Sequence, residues 1–362
     1  MKTDTAEDMA HTILITLVVM LPLFAVLLFR RWWQRPSKLR SLMLRFTLFA
    51  ISSLLMFAAM EYYFYHHVHM SDGFGFTLSA GNWRSRYGSV PKNSWGLRDV
   101  EHSASSVATK NKLYVVGDSF TAGHGINNHS DRYANIVATE LGSDWEMILI
   151  AKGGWATRRQ LSEFAEMQTT INDPLSTSSE IVIWQYYLND IEDAGIAAGI
   201  EKPSIYITAP RLLRPIVDHY HVANFVYWSI FRRFSTRELM GSYLKFLSDC
   251  FDDSMAWNLH QRELREIVAL AEARSAPQQR RMIVVVYPNL MDISGTRAMS
   301  DRVVEYFQSY EIAVINMADM LNGRAVAEIT VNPFDGHANE AVNRLLAEKL
   351  LQELSKRQQI GF

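Results

Sequence analysis

Cysteine is almost missing: 362 residues contain one, Cys250. It cannot close an intrachain disulfide, and no Cys-x-x-Cys spacing offers a zinc site. An oxidising compartment is therefore neither required nor excluded. Neither sign of charge dominates, since 36 Lys and Arg stand against 38 Asp and Glu for a formal net charge of −2. Such a balance gives no electrostatic footprint for nucleic acid. Internal repeats and low-complexity tracts are missing too, which removes solenoids and biased linkers from consideration. What is present is 48% hydrophobic and 20% charged. That supports one sizeable core with appendages.

The apolar residues are unevenly spread. Residues 12–29 form an uncharged run as long as a helix needs to cross a bilayer. Pro22 is tolerable in such a helix. A cleaved signal peptide fits poorly. Acidic residues precede the run, and Arg30-Arg31-Trp32-Trp33 stands where a small-residue cleavage site would be needed. Arg30, Arg31, Arg35, Lys38, Arg40 and Arg45 crowd the next segment. Residues 46–60 are apolar again and run into Tyr62, Tyr63, Phe64 and Tyr65, which suit a membrane–water interface. Arg45 can snorkel from such a span. A helical hairpin inside a soluble core would leave these arginines uncompensated. The expectation is a two-span anchor over residues 1–69 with a basic cytoplasmic loop. Everything beyond His66 then lies outside the cytoplasm.

Residues 70–111 are rich in Gly, Ser and Asn and read as a linker and an irregular lead-in that includes 93–99. From Lys112 the pattern alternates. Strand-like runs fall at 112–116, 147–151, 181–187, 282–287 and 312–316. Helical patterns fall at 132–141, 157–167, 258–273, 300–310 and 339–354. This alternation predicts an α/β domain over 112–357, a mostly parallel sheet flanked by helices in three layers. Ligands of such sheets bind beyond the carboxyl ends of the strands. The interval 191–257 breaks the rhythm with Pro203, Pro210, Pro215 and an aromatic stretch from Tyr220 to Phe234. It reads as a mostly helical insertion that covers the site, touches a membrane surface or grips a substrate. An aromatic helix packed on the core fits equally well.

Four turns carry candidate chemistry. Leu113, Tyr114, Val115 and Val116 make a strand that Gly117-Asp118-Ser119 stops abruptly. Gly117 allows a bend where a Cβ would clash. Ser119 then sits where backbone N–H groups are unpaired and can face developing negative charge. The second turn holds Gly153 and Gly154, where a backbone N–H can approach a ligand closely. The third holds Asn189, a possible oxyanion donor, and Asp190; a cap or Asx-turn is the commoner role for such residues. The fourth holds Asp335 and His337, just before the last helix. Serine needs a base to take its proton, and histidine is suited to that. Asp335 can hold the imidazole's tautomer. His124 and His129 are rival bases, with Asp131 the carboxylate near them in sequence. His66, His67 and His69 look like membrane-flank residues.

The order Ser119, Gly154, Asn189 with Asp190, and Asp335 with His337 resembles the four blocks of the SGNH (GDSL-like) hydrolase superfamily. The resemblance covers roughly residues 93–357 without the insertion. It implies Ser119 as nucleophile and His337 with Asp335 as base and partner. It also implies an oxyanion hole of Ser119 N–H, Gly154 N–H and the Asn189 side chain, with Asp118 and Asp190 in support. Two departures stand out. The spacing is Asp-x-His where Asp-x-x-His is common, similar to some envelope-polysaccharide acetyl-transferring members. Leu149 and Ala151 stand where an asparagine and a glycine are frequent. The run Gly-Asp-Ser-Phe-Thr also differs from the Gly-x-Ser-x-Gly elbow of α/β-hydrolases.

The two apolar runs and the resemblance together imply a membrane-anchored serine esterase, and the proposed chemistry needs no metal or organic cofactor. Its substrates would be ester-linked acyl groups of envelope glycans or lipids outside the cytoplasm. The expected location is the plasma membrane, a bacterial inner membrane, with a periplasmic domain. An O-acyltransferase to a glycan would use the same site. A non-catalytic glycan-binding or assembly subunit of an envelope complex is a further alternative, against which intact Ser119, Asn189 and His337 weigh.

Overall fold

Five apolar segments make one wholly parallel sheet in a computed structural model that describes residues 38–171, 179–205, 207–273 and 280–359. The strands are β1 (Asn111–Gly117), β2 (Trp145–Ala151), β3 (Glu180–Tyr187), β4 (Arg280–Tyr287) and β5 (Ala313–Asn316). Their order is β2-β1-β3-β4-β5. The chain reverses its direction of progress across the sheet between β1 and β3, the crevice where doubly wound folds place ligands.

Successive residues along a strand point to opposite faces. Tyr114, Val116, Ile148, Ile150, Val182 and Trp184 thus belong to one buried cluster, and Leu113, Val115, Leu149, Ile181 and Ile183 to another. Both faces are covered, which is why the strands read as unbroken apolar runs. On the first face lie α6 (Thr157–Thr170), α10 (Ser254–Ala273) and α11 (Ile293–Gln308), through Phe164, Leu264, Ile267, Val303 and Phe307. The second face is covered by α5 (Tyr133–Leu141) and α14 (Glu340–Gln359), through Tyr133, Val137, Val342, Leu346 and Leu350. Each such fully buried side chain contributes about 1.5–3 kcal/mol.

The described chain forms two units. Among the described residues, one comprises 38–69, Thr77–Ser79 and Ala209–Ser229. Its backbone is α1 (Lys38–His67), together with the short α8 (Arg214–Val217) and the start of α9 (His221–Asp252). Within α1, Arg40–His67 is long and apolar enough to cross a membrane. Leu42, Phe46, Leu48, Phe49 and Met56 are all exposed on it. It is the one such helix among the described residues. The first expected span, residues 12–29, lies outside them. The basic segment is not a loop throughout, because the helix already begins at Lys38 and takes in Arg40 and Arg45.

The other unit holds the sheet and its helices. It also includes Met70–Phe76, read from sequence as linker. Ser71 and Asp72 there are 3% and 2% exposed, so this stretch is packed rather than loose. Two short helices, α2 (Leu78–Trp83) and α3 (Ala104–Thr109), occur in the irregular lead-in. The end of the 191–257 insertion packs in the core through Phe246, Leu247 and Phe251. Asp335 and His337 lie on a strand rather than in a plain turn. β6 (Thr330–Asn332) and β7 (Asp335–Ala338) form a small antiparallel hairpin.

Candidate active site

The strand β1 ends at Gly117 because nothing larger fits there. A Cβ would collide with Thr121 Oγ1 and the Gln185 amide oxygen. That oxygen, from the middle of β3, accepts hydrogen bonds from the Asp118 N–H (3.0 Å) and the Thr121 hydroxyl (3.0 Å). Asp118 caps the short helix α4 (Ser119–Ala122), its Oδ1 accepting from the Phe120 N–H at 2.9 Å. The turn is thus fixed from both sides, and Ser119 is left partly exposed at the strand's carboxyl end.

Ser119 Oγ lies 2.8 Å from His337 Nε2. His337 Nδ1 lies 2.5 Å from Asp335 Oδ1, which also accepts the His337 backbone N–H at 3.1 Å. A carboxylate at Nδ1 fixes the tautomer: Nδ1 carries the proton, and Nε2 is free to accept one from Ser119. Phe120 packs its ring 4.9 Å from the imidazole of His337.

The other carboxylate oxygen of Asp335 has its own partners. Ser71 Oγ donates to Oδ2 at 2.5 Å across 264 residues of sequence. His124 Nε2 is 3.4 Å from the same oxygen and 3.0 Å from the Asp72 carbonyl. A carbonyl only accepts, so His124 carries its proton on Nε2. The hairpin is tied to the same strand of chain by Asn332 Nδ2 to the Ser71 carbonyl (3.1 Å) and Gly73 N–H to the Phe334 carbonyl (3.1 Å). Sequence reasoning missed Ser71 entirely and weighed His124 only as a base. Its Nε2 is turned to Asp335 and the Asp72 carbonyl, whereas His337 holds the hydrogen bond to Ser119. His129 sits in the turn His129–Asp131, and Asp131 faces Arg344 at 3.7 Å.

Protonation follows this geometry. Burial alone would raise the Asp335 pKa, but the charge and hydrogen bond of His337, with His124 and Ser71, hold it below the usual carboxylate range. Burial alone would lower that of His337, yet Asp335 and Asp118 raise it. Burial and the neighbouring His337 push His124 down to about 4, so it stays neutral at pH 7. Asp118 is pushed up to about 6 by burial, against its bond from Phe120 N–H and the charge of His337.

The second and third turns stand on the strands beside β1. Gly117 pairs with Ala151 in register and Val116 with Trp184. The ends of β2 and β3 therefore meet the end of β1 at one edge. A Cβ on Gly153 would lie 3.7 Å from that of Ser119. Gly154 follows with φ of 80°, a left-handed conformation that suits glycine. Asn189 lies in the turn Leu188–Ile191, its Oδ1 buried without a hydrogen-bond partner. Asp190 holds that turn. It accepts from the Tyr187 N–H (2.8 Å) and from Gln160 Nε2 (2.9 Å). Burial and then Asp118 raise its pKa well above the ordinary range.

His124, Asp335 and His337 bring three metal-ligating atoms within 4.8 Å of one another. Their atoms are already engaged. Both nitrogens of His337 and the Nε2 of His124 lie in the hydrogen bonds above. The arrangement is that of an activated hydroxyl rather than a metal cage.

No protein-family profile matches the chain, and no curated protein matches its sequence. Similar solved structures do exist. One is a member of the lipolytic protein G-D-S-L family from Veillonella parvula, at 13% identity over 67% of this chain and 96% of that one, with a TM-score of 0.38. A carbohydrate acetylesterase family member from Sinorhizobium meliloti is 13% identical over 70% of this chain and all of its own, with a TM-score of 0.37. A lipase/acylhydrolase from Enterococcus faecalis is 12% identical over 68% and 96%, with a TM-score of 0.39.

Proposed function

We propose that the chain is an SGNH-type serine ester hydrolase, held to a membrane and acting outside the cytoplasm on acyl esters of envelope glycans or lipids. The observation that carries the reaction is the unbroken line from Ser119 Oγ through His337 to an ionised Asp335. His337 Nε2 takes the Ser119 proton while Oγ attacks the ester carbonyl. The oxyanion is held by the N–H groups of Ser119 and Gly154 and by the Asn189 amide. The carbonyl–alkoxy bond breaks, and His337 returns the proton to the leaving alcohol. Water then attacks the acyl-enzyme, gives its proton to His337, and releases the acid with Ser119 restored. The membrane part of the reading rests on α1, whose apolar window has no buried residue. A lasting anchor favours a substrate that does not diffuse.

A serine-directed fluorophosphonate, together with p-nitrophenyl acetate, tests the reaction. The detergent-solubilised full chain should hydrolyse the ester and take up the label. Ser119→Ala should do neither while unfolding at the same temperature. Labelling that persists in this variant would remove Ser119 as nucleophile.

A further inference from the structure

The 191–257 insertion returns to helix α1. Glu61, 1% exposed, accepts hydrogen bonds from the backbone N–H groups of His221 (2.6 Å) and Val222 (3.0 Å). The imidazole Nδ1 of His221 lies 3.1 Å from the same carboxyl group. A carboxylate on the unpaired N–H groups of a helix start is a strong cap. It fixes the beginning of α9 against the last third of α1. Ring contacts extend the pairing: Phe57 meets Tyr220 at 5.6 Å, and Phe64 meets Phe225 at 5.3 Å. The partners climb together, 57 with 220, 61 with 221 and 222, 64 with 225. The two stretches therefore run side by side in the same direction. Ile216, whose carbonyl accepts the Tyr220 N–H at 3.1 Å, is thereby tied to the residue that meets Phe57. With a rise of about 1.5 Å per residue, Phe57 is about 7 Å along the axis from Tyr62.

Residues 210–216 precede it, Pro-Arg-Leu-Leu-Arg-Pro-Ile, and all are exposed. Leu212 is 91% exposed, Ile216 52% and Leu213 45%. The segment is held in place, not dangling. Val217 is buried, and Asn224 Nδ2 donates to its carbonyl at 2.9 Å. Scattered exposed leucines need no explanation. Here they stand together between two arginines. Leu54, Leu55 and Met56 are likewise exposed, on α1 just before Phe57. Apolar side chains flanked by arginine are the composition of a segment lying in a bilayer interface.

We propose that residues 210–216 are a second, shallow membrane contact. Leu212, Leu213 and Ile216 enter the upper acyl region, and Arg211 faces the lipid phosphates, while Arg214 Nε is held by the Ala209 carbonyl at 3.3 Å. This rests on reading α1 as a membrane span, and the test separates the two. The full chain is reconstituted in phosphatidylcholine–phosphatidylglycerol vesicles. An environment-sensitive fluorophore is placed on Leu212→Cys, Phe49→Cys or Ser105→Cys in turn; Cys250 is buried and can stay. Doxyl-labelled lipid is the quencher. Leu212 and Phe49 should each lose about half their emission or more, and the α3 position Ser105 almost none. Quenching at Phe49 without quenching at Leu212 overturns the shallow contact and leaves the span standing. Absence of quenching at both overturns both. Shielding of Leu212 from aqueous iodide without doxyl quenching, and only at high protein density, assigns the patch to a second copy and overturns the proposal.

Discussion

The sheet domain contains two lines of hydroxyl, imidazole and carboxylate. One is Ser119, His337 and Asp335. The other is Tyr186, His260 and Glu263, with Tyr186 OH 3.0 Å from His260 Nε2 and His260 Nδ1 3.0 Å from Glu263 Oε2. Atom for atom they match, yet their surroundings differ. Tyr186 and His260 are sealed at 0% exposure, whereas Ser119 and His337 are partly open at the strand ends. Burial lowers the His260 pKa in spite of Glu263, so its imidazole stays neutral. His337 is raised against its burial by the charge and hydrogen bond of Asp335 and by the charge of Asp118. A relay of this kind is thus chemically competent only where its hydroxyl can meet a substrate and its imidazole can hold a proton. Elsewhere the same three groups are a satisfied core network.

The widest separation should come from deleting the two hydroxyls. Ser119→Ala should reduce kcat by about 10³–10⁶. Tyr186→Phe should leave kcat within about threefold and lower stability by about 1 kcal/mol in urea melts. Similar rate losses from both would erase the distinction. Next in size is the proposed oxyanion donor. Asn189→Ala should lower kcat about 10²–10³-fold with KM little changed, read in steady-state kinetics.

Smaller effects sharpen the role of the carboxylate's far side. Ser71→Ala should lower kcat about tenfold, with slower but complete fluorophosphonate labelling, and Ser71→Thr should restore it. The groups facing His337 are Asp335, Asp118 and neutral His124. Their net effect raises its pKa, so the acid limb of kcat/KM should lie above the free-imidazole value of about 6.5. The smallest effect concerns stability. His260 has a folded pKa below its unfolded one, so the unfolded chain takes up the proton first. Its contribution is complete above about pH 6.5 and is lost as pH falls toward the folded value. His260→Gln should flatten that acid decline in urea midpoints measured between pH 7.5 and 5.

Much of the sheet was legible from sequence. The buried parallel strands are unbroken apolar runs, and each was placed within a few residues. Gly117 was legible as a position with no room, although the groups that fill it, Thr121 and Gln185, were not. The start of α11 was set too late, at 300 rather than Ile293; Asp292, whose side chain accepts the Gly295 N–H at 2.9 Å, is the cap signal that was passed over. The β6–β7 hairpin was hidden because its strands have three and four residues and no clear alternation. Ser71 was unreadable for another reason. Its partner is 264 residues away, and a serine in a polar stretch carries no periodic signal.

That serine bears on how the molecule can be cut. Anyone preparing a water-soluble fragment would remove the greasy start and begin after residue 76, where the first compact-looking helix follows. The fragment would then lack the hydroxyl on Asp335 and the carbonyl that orients His124, and would fold with a slackened acid behind its base. Beginning at Met70 costs seven more residues and keeps both.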